Sequence, residues 1–225
     1  EGVVTDNIKP DYIDSYAKWM DDKEEARLYS ESQHAGSLGP GRSLARMIDF
    51  SKVDHLLDVA GGTGGLSIRL CEANPNLRVT IIDFPNVVGL GKEKVKEANL
   101  SDRITFIGAN ALDYGWPTNV DAVLMSYLYN GVPAESIPQL AQNAYKVMNP
   151  GGIYIVHDFM VENDRSGPHL AALWQLQHLA FTPSAKSITP SYVTSVMKDS
   201  GFTSINEKVL IPGMTKVLWG YKNLV

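Results

Sequence analysis

The sequence predicts an α/β fold, a mostly parallel sheet covered on both faces by helices and closed at one edge by an antiparallel hairpin. Three observations predict it. From residue 54 onward, short runs rich in Val and Ile alternate with helix-length segments, as in strands buried on both faces. The first run enters a glycine-rich turn that opens a helix. The last two strand-like segments, Ser204–Ile211 and Met214–Tyr221, are joined at Pro212-Gly213, too short a link for a parallel crossover.

Residues 1–50 read as a helical and loop-rich segment, and residues 51–225 as the sheet domain. In the first part Tyr12, Tyr16, Trp19 and Met20 recur at helical spacing, and the run Asp21-Asp22-Lys23-Glu24-Glu25 reads as a solvated helix face. Gly36, Gly39, Pro40 and Gly41 predict a break before a second helix, Arg42 to Phe50. The strands then follow as 55–60, 77–83, 103–108, 120–127 and 153–158, with helices at 66–73, 87–99 and 133–148 between them. Asn149-Pro150-Gly151-Gly152 is a strong helix stop. Helices over Leu170–Phe181 and Pro190–Ser200 precede the terminal hairpin.

Composition removes several function classes. A net charge of −5 without a basic run argues against nucleic-acid partners. No apolar stretch approaches the roughly 20 residues of a membrane span. A lone cysteine, Cys71, excludes a disulfide framework and a Cys-cluster zinc site, which suits a reducing, cytoplasmic setting. No His/Asp/Glu set has metal-ligand spacing, so no metal is expected. Glu1-Gly2-Val3-Val4 shows no signal peptide, and the missing initiator Met points to a piece of a longer protein.

The strongest motif is Asp58-Val59-Ala60-Gly61-Gly62-Thr63-Gly64-Gly65, between the first strand and its helix. Small residues there let the backbone turn tightly and approach a ligand. Asp83 ends the next strand, 21 residues past Gly62, where a carboxylate can accept hydrogen bonds from ribose hydroxyls. Together they make a nucleoside half-site. The dinucleotide pattern G-x-G-x-x-G fits only partly, since Gly62-Thr63-Gly64-Gly65-Leu66-Ser67 ends in Ser. The pattern Asp-x-Gly/Ala-x-Gly-x-Gly fits through Asp58, Ala60, Gly62 and Gly64.

That second pattern resembles motif I of the class I S-adenosylmethionine-dependent methyltransferases. With Ile82-Asp83-Phe84-Pro85 and Met148-Asn149-Pro150-Gly151-Gly152, the chain resembles small-molecule O-methyltransferases of the plant caffeate and bacterial polyketide type. The resemblance implies a Rossmann-like, seven-stranded sheet with a reversed C-terminal hairpin. It implies S-adenosylmethionine as cofactor, turned by Asp58, Ala60, Gly61, Gly62 and Gly64, with Asp83 on the ribose and Phe84 beside the adenine. Asn110, with Ala111 next to it, falls where the family often has an adenine-binding Asp, and Ser126 and Ser37 complete the cofactor set. Relatives usually carry an N-terminal domain that dimerises and roofs the pocket. Residues 1–50 resemble only the helices behind it, so a homodimer is implied only for a longer chain.

The catalytic step departs from the family. Many relatives have His-Asp-Trp after strand four, the His serving as base. Here Asn130 falls on the His and Gly131 on the Asp, and an amide takes no proton at neutral pH. His157, at the end of strand five, and His178, on the helix the family uses to line the substrate pocket, are the alternative bases. Positioning alone, with Asn130 orienting the acceptor, is a second explanation. Methyl transfer to carbon or nitrogen, or loss of methyl transfer, is a third. Met125, Tyr127, Tyr129, Met160 and Trp174 form an expected wall for a flat aromatic, hydroxylated small molecule and for the sulfonium. His34 and His169 read as incidental loop residues. A nicotinamide-dependent oxidoreductase, which shares the strand–turn–helix, is the rival from another enzyme class.

Overall fold

The computed structural model describes residues 15–224. Tyr12 and Glu1-Gly2-Val3-Val4 lie outside the described residues. The chain runs α1 (Ser15–Asp21), α2 (Lys23–Met47), β1 (His55–Val59), α3 (Gly65–Ala73), β2 (Arg78–Asp83), α4 (Pro85–Glu97), β3 (Ile104–Gly108), β4 (Val120–Ser126) and α5 (Ser136–Val147). It continues through β5 (Met148–Asp158), α6 (His169–Phe181), α7 (Pro190–Asp199), β6 (Thr203–Ile211) and β7 (Thr215–Tyr221).

The strands form a seven-stranded sheet in the order β3-β2-β1-β4-β5-β7-β6. The five strands from β3 to β5 pair in parallel, and β7 pairs antiparallel with both β5 and β6. Strand alternation explains the continuous apolar runs. Leu57, Val123 and Val156 join the core under α5 and α7, whereas their neighbours Leu56, Leu124 and Ile155 join the core under α2 and α3. Burying each such side chain stabilises the fold by about 1.5–3 kcal/mol. Because β1 leads to β2 on one side and pairs with β4 on the other, the chain changes direction between β1 and β4. That switch point opens a crevice beyond the carboxyl ends of the strands.

Two expectations are corrected here. Gly36, Gly39, Pro40 and Gly41 do not break the N-terminal helix, for α2 runs unbroken through all four. The ring of Pro40 threatens the carbonyl of residue i−4, Gly36, which has nothing within 4 Å of where a Cβ would sit. Gly41 is needed for contact: a Cβ there would lie 2.9 Å from Leu66 Cα and 3.0 Å from Arg69 Cβ, so α2 presses its backbone onto α3. Further along, β5 starts at Met148. Gly151, at φ +78°, and a register shift between Val120 and Ala122 absorb the Pro-Gly-Gly step at its start. Leu44, Ile48 and Phe50 enter the same core as β1 and α3. On α6, Ala171, Gln175 and His178 are buried while Leu170, Leu173 and Leu176 are exposed.

Candidate functional site

The turn after β1 is built from left-handed residues: Ala60 at φ 56°, Gly62 at 60° and Gly64 at 81°. Two of the three lack the Cβ that makes this region costly. Ala60 N–H donates to Ile82 O at 2.8 Å, and Gly64 N–H donates to Gly61 O at 3.0 Å. Asp83 fixes the turn from the neighbouring strand. Its Oδ2 accepts from Gly62 N–H at 2.7 Å and its Oδ1 from Phe84 N–H at 2.7 Å. Burial still outweighs those donors and pushes the Asp83 carboxyl up to about 6.

Asp58 stands beneath the turn. Ser67 Oγ donates to its Oδ2 at 2.6 Å, while Oδ1 is buried and has no hydrogen-bond partner. Burial pushes this carboxyl up to about 7. A Cβ on Gly61 would lie 2.5 Å from Asp58 Cγ, so only glycine lets the chain pass over the acid.

Above the turn lies a cavity of about 300 Å³ at the switch point. Asp58, Ala60, Gly61, Gly62 and Asp83 line it at one end, with Phe84, Asn110 and Ala111 beside them and Gln33 and Ser37 facing from α2. Ser126, Tyr127, Gly131, His178 and Thr182 line it as well. Asn110 is held in a local turn, its Oδ1 accepting from Leu112 N–H at 3.0 Å and its Nδ2 donating to Asp113 at 2.9 Å. Met20 of α1 and Tyr29 of α2 also border the cavity. Sequence reasoning missed Met20 and Tyr29 as cavity residues, although Met20 already stood out by its helical spacing.

Several expected site residues are elsewhere. Gly64 packs against Ile81, whose Cδ1 would sit 2.8 Å from a Cβ. His157 is fully buried and does not border the cavity. Its Nδ1 is 2.8 Å from Ser126 Oγ and its Nε2 is 2.9 Å from Thr215 Oγ1. With both nitrogens engaged, and burial lowering its pKa to about 3, it is not a base for a ligand. Asn130 also does not border the cavity. Its Nδ2 donates to Asp158 Oδ1 at 2.7 Å and to Phe159 O at 2.9 Å, so its amide orients the end of β5 and not an acceptor. Met125, Tyr129 and Met160 are core residues. The Tyr129 and Tyr154 hydroxyls are 2.5 Å apart, and Tyr154 Oη donates to Met125 Sδ at 3.2 Å. Trp174 stacks on Phe159, centroids 4.5 Å apart, behind the cavity wall.

One histidine differs from expectation in the other direction, and another borders the cavity as expected. His34 is on α2, not in a loop, with Nδ1 2.7 Å from Thr63 Oγ1 in the turn. His178 borders the cavity, its ring 5.0 Å from that of Trp174 and its Nδ1 2.9 Å from Trp174 O. A carbonyl only accepts, so Nδ1 carries the proton and the lone pair of the neutral ring is on Nε2. Burial lowers the His178 pKa, with the carbonyl opposing.

The left-handed turn, the acid one strand over and the crevice at the switch point define a nucleoside-binding α/β protein with the class I methyltransferase arrangement of strands. The chain belongs to the O-methyltransferase domain family, which matches residues 12–203. It is 27% identical over 223 residues to a 3-hydroxy-5-methyl-1-naphthoate 3-O-methyltransferase of Streptomyces sahachiroi, covering 99% of this chain and 64% of that protein. It is 27% identical to the tetracenomycin polyketide synthesis 8-O-methyl transferase TcmO of Streptomyces glaucescens, covering 82% of this chain and 54% of the relative. Human N-acetylserotonin methyltransferase in complex with SAM superposes with a TM-score of 0.83 at 20% identity, over 93% of this chain and 59% of that one. The chain thus spans between half and two thirds of the length of these relatives. Among the described residues no helix is long and apolar enough to cross a membrane.

Proposed function

We propose that this chain binds S-adenosylmethionine and supports transfer of its methyl group to a hydroxyl of a small aromatic acceptor. The observation that carries the reading is the partnerless oxygen of Asp58, buried at the cavity edge. An ammonium group satisfies it, whereas a pyrophosphate would set negative charge beside two buried acids. That favours the sulfonium cofactor over a nicotinamide dinucleotide. When bound, the cofactor supplies an activated methyl group on a positively charged sulfur.

The chain's own residues do the rest. Asp83 has lone pairs beyond those given to Gly62 and Phe84, and these accept from ribose hydroxyls. Phe84 would flank the adenine, and Asn110 Oδ1, which already accepts from Leu112 N–H, would offer its second lone pair to the adenine amine. At the cavity wall His178, neutral and carrying its lone pair on Nε2, would take the proton of the acceptor hydroxyl as the methyl group passes from sulfur to oxygen. The base has then moved from the end of β4, where Asn130 is clamped to Asp158, to α6. Positioning within one cavity supplies a large part of the acceleration. The names of the Streptomyces relatives point to phenolic, fused-ring acceptors. A cytoplasmic location and a homodimer of the longer chain belong to the same reading.

Calorimetry with S-adenosylhomocysteine, followed by labelled-methyl transfer to a panel of hydroxynaphthoates and other phenols, tests it. Binding together with O-methylated product supports the proposal. Tight binding of NAD in place of S-adenosylhomocysteine removes it. The replacement of the family's His by Asn130 favours a second reading, transfer to carbon or nitrogen or no transfer. Locating the methyl group in the product by NMR, or finding no product despite firm cofactor binding, decides for that reading.

A further inference from the structure

The glycine turn contains a problem of its own making. Gly62 and Gly64 are left-handed at φ 60° and 81°, and neither has a side chain to hold it. Free glycines have the most backbone entropy to lose when a ligand fixes them. Thr63 stands between them, buried and bordering the cavity. Its hydroxyl reaches out of the turn to His34 Nδ1 on α2, at 2.7 Å. The same stretch of α2 is locked onto the start of α3. Ser37 Oγ donates to His34 O at 2.8 Å, and a Cβ on Gly65 would fall 1.9 Å from that Oγ and 3.2 Å from His34 O. His34 therefore sits on a wall that has no room to drift.

We propose that His34 is a positioning residue for cofactor binding: through Thr63 it holds the Gly62-Thr63-Gly64 turn in its ligand-bound shape before the ligand arrives. The inference rests on the cofactor reading above and deepens it. Preorganisation of this kind raises affinity by removing an ordering cost, without a contact to the ligand. The Asp83 bond to Gly62 fixes the turn from the sheet side, and His34 fixes it from the helix side. Burial, with Lys94 adding to it, lowers the His34 pKa, so the ring is neutral at pH 7 and Nδ1 can accept the Thr63 hydroxyl.

The test is a calorimetric cycle with S-adenosylhomocysteine on His34→Ala, Thr63→Val, the double variant and His34→Asn, with melting curves alongside. Val keeps the shape of Thr without its hydroxyl, so it probes the bond even if His34→Ala folds poorly. Asn places an amide atom where Nδ1 was. Each of His34→Ala and Thr63→Val should weaken binding about tenfold, the size of one lost hydrogen bond. The double variant should be no worse than either single one, and His34→Asn should recover most of the affinity. Independent losses that multiply in the double variant, or affinity unchanged in Thr63→Val, would overturn the proposal. So would a failure of His34→Asn to rescue when its melting temperature equals that of the unsubstituted chain. Failure of the unsubstituted chain to bind S-adenosylhomocysteine would instead overturn the cofactor reading itself.

Discussion

Gly65→Ala should destabilise the domain although it replaces a helix breaker with the best helix former at the first position of α3. The new methyl carbon would lie 1.9 Å from Ser37 Oγ, 3.1 Å from Ser37 Cβ and 3.2 Å from His34 O. The hydroxyl must swing away and give up its 2.8 Å bond to His34 O, a loss of about 1 kcal/mol. α2 cannot retreat freely, because Gly41 already holds it against Leu66. Overpacking of this kind costs about 1–3 kcal/mol, and the gain in helix propensity returns about 1 kcal/mol. The net loss is about 2 kcal/mol, a fall of roughly 4–8 °C in melting temperature for a domain of this size. Adding Ser37→Ala removes the 1.9 Å clash and leaves the tight contacts with the residue 37 Cβ at 3.1 Å and His34 O at 3.2 Å, so the double variant should recover more than half of the loss. Differential scanning calorimetry on the two single variants and the double one measures this coupling. A Gly65→Ala protein as stable as the parent, or a double variant no better than Gly65→Ala, would refute the close approach of α2 to the turn.

Other expectations follow from the same structure. Asp83→Asn offers one acceptor to two backbone donors, so it should weaken S-adenosylhomocysteine binding by about 10- to 100-fold, the worth of a charge-assisted bond, as calorimetry would show. His178→Ala should lower turnover about 10²- to 10⁴-fold with cofactor affinity retained, whereas His157→Ala should lower the melting temperature and leave turnover per folded molecule largely intact; the opposite pattern would return the base to β5. Burial raises Asp58 and Asp158 to about 7 and Asp83 to about 6, above the 3.8 of an unburied Asp, so the folded state holds protons that the unfolded state has released. That contribution to stability is present at low pH and lost as pH rises toward 7. The buried histidines, whose lowered pKa values act in the opposite sense, have finished titrating by about pH 7.5 in either state. The ligand-free melting temperature should therefore be higher at pH 7.5 than at pH 8.5, and a rise over that interval would contradict the assignment.

The cofactor half of the site was legible because it is local. A strand, a turn of small residues and an acid at the end of the next strand are contiguous in sequence, and the parallel pairing of β1 with β2 brings Gly62 and Asp83 together. The acceptor half depends on what no neighbouring residue announces. His157 ends a strand, which suggested a ligand-facing position, but β7 returns antiparallel and sets Thr215 against its ring. Tyr127, at φ 59°, turns the chain out of the strand, so the alternation that would have placed Tyr129 and Asn130 no longer holds beyond it. Tyr129 drops into the core and Asn130 onto Asp158. The glycines and proline of α2 look like a loop to any rule of local propensity. The helix runs through them, and at Gly41 a close neighbour, α3, rewards the missing side chain.

The uninterrupted course of α2 couples distances that a hinge would have kept separate. Tyr29, Gln33 and His34 share one rigid rod with Gly41 and Leu44, which are seated on the body of the domain. Deleting a single residue between Ser37 and Gly41 would rotate everything upstream by about 100° about the rod's axis. Tyr29 and Gln33 would swing out of the crevice and His34 off the turn, while the sheet beneath stayed as it was. Length in this stretch is therefore as much a determinant of the pocket as the identity of any side chain that faces it.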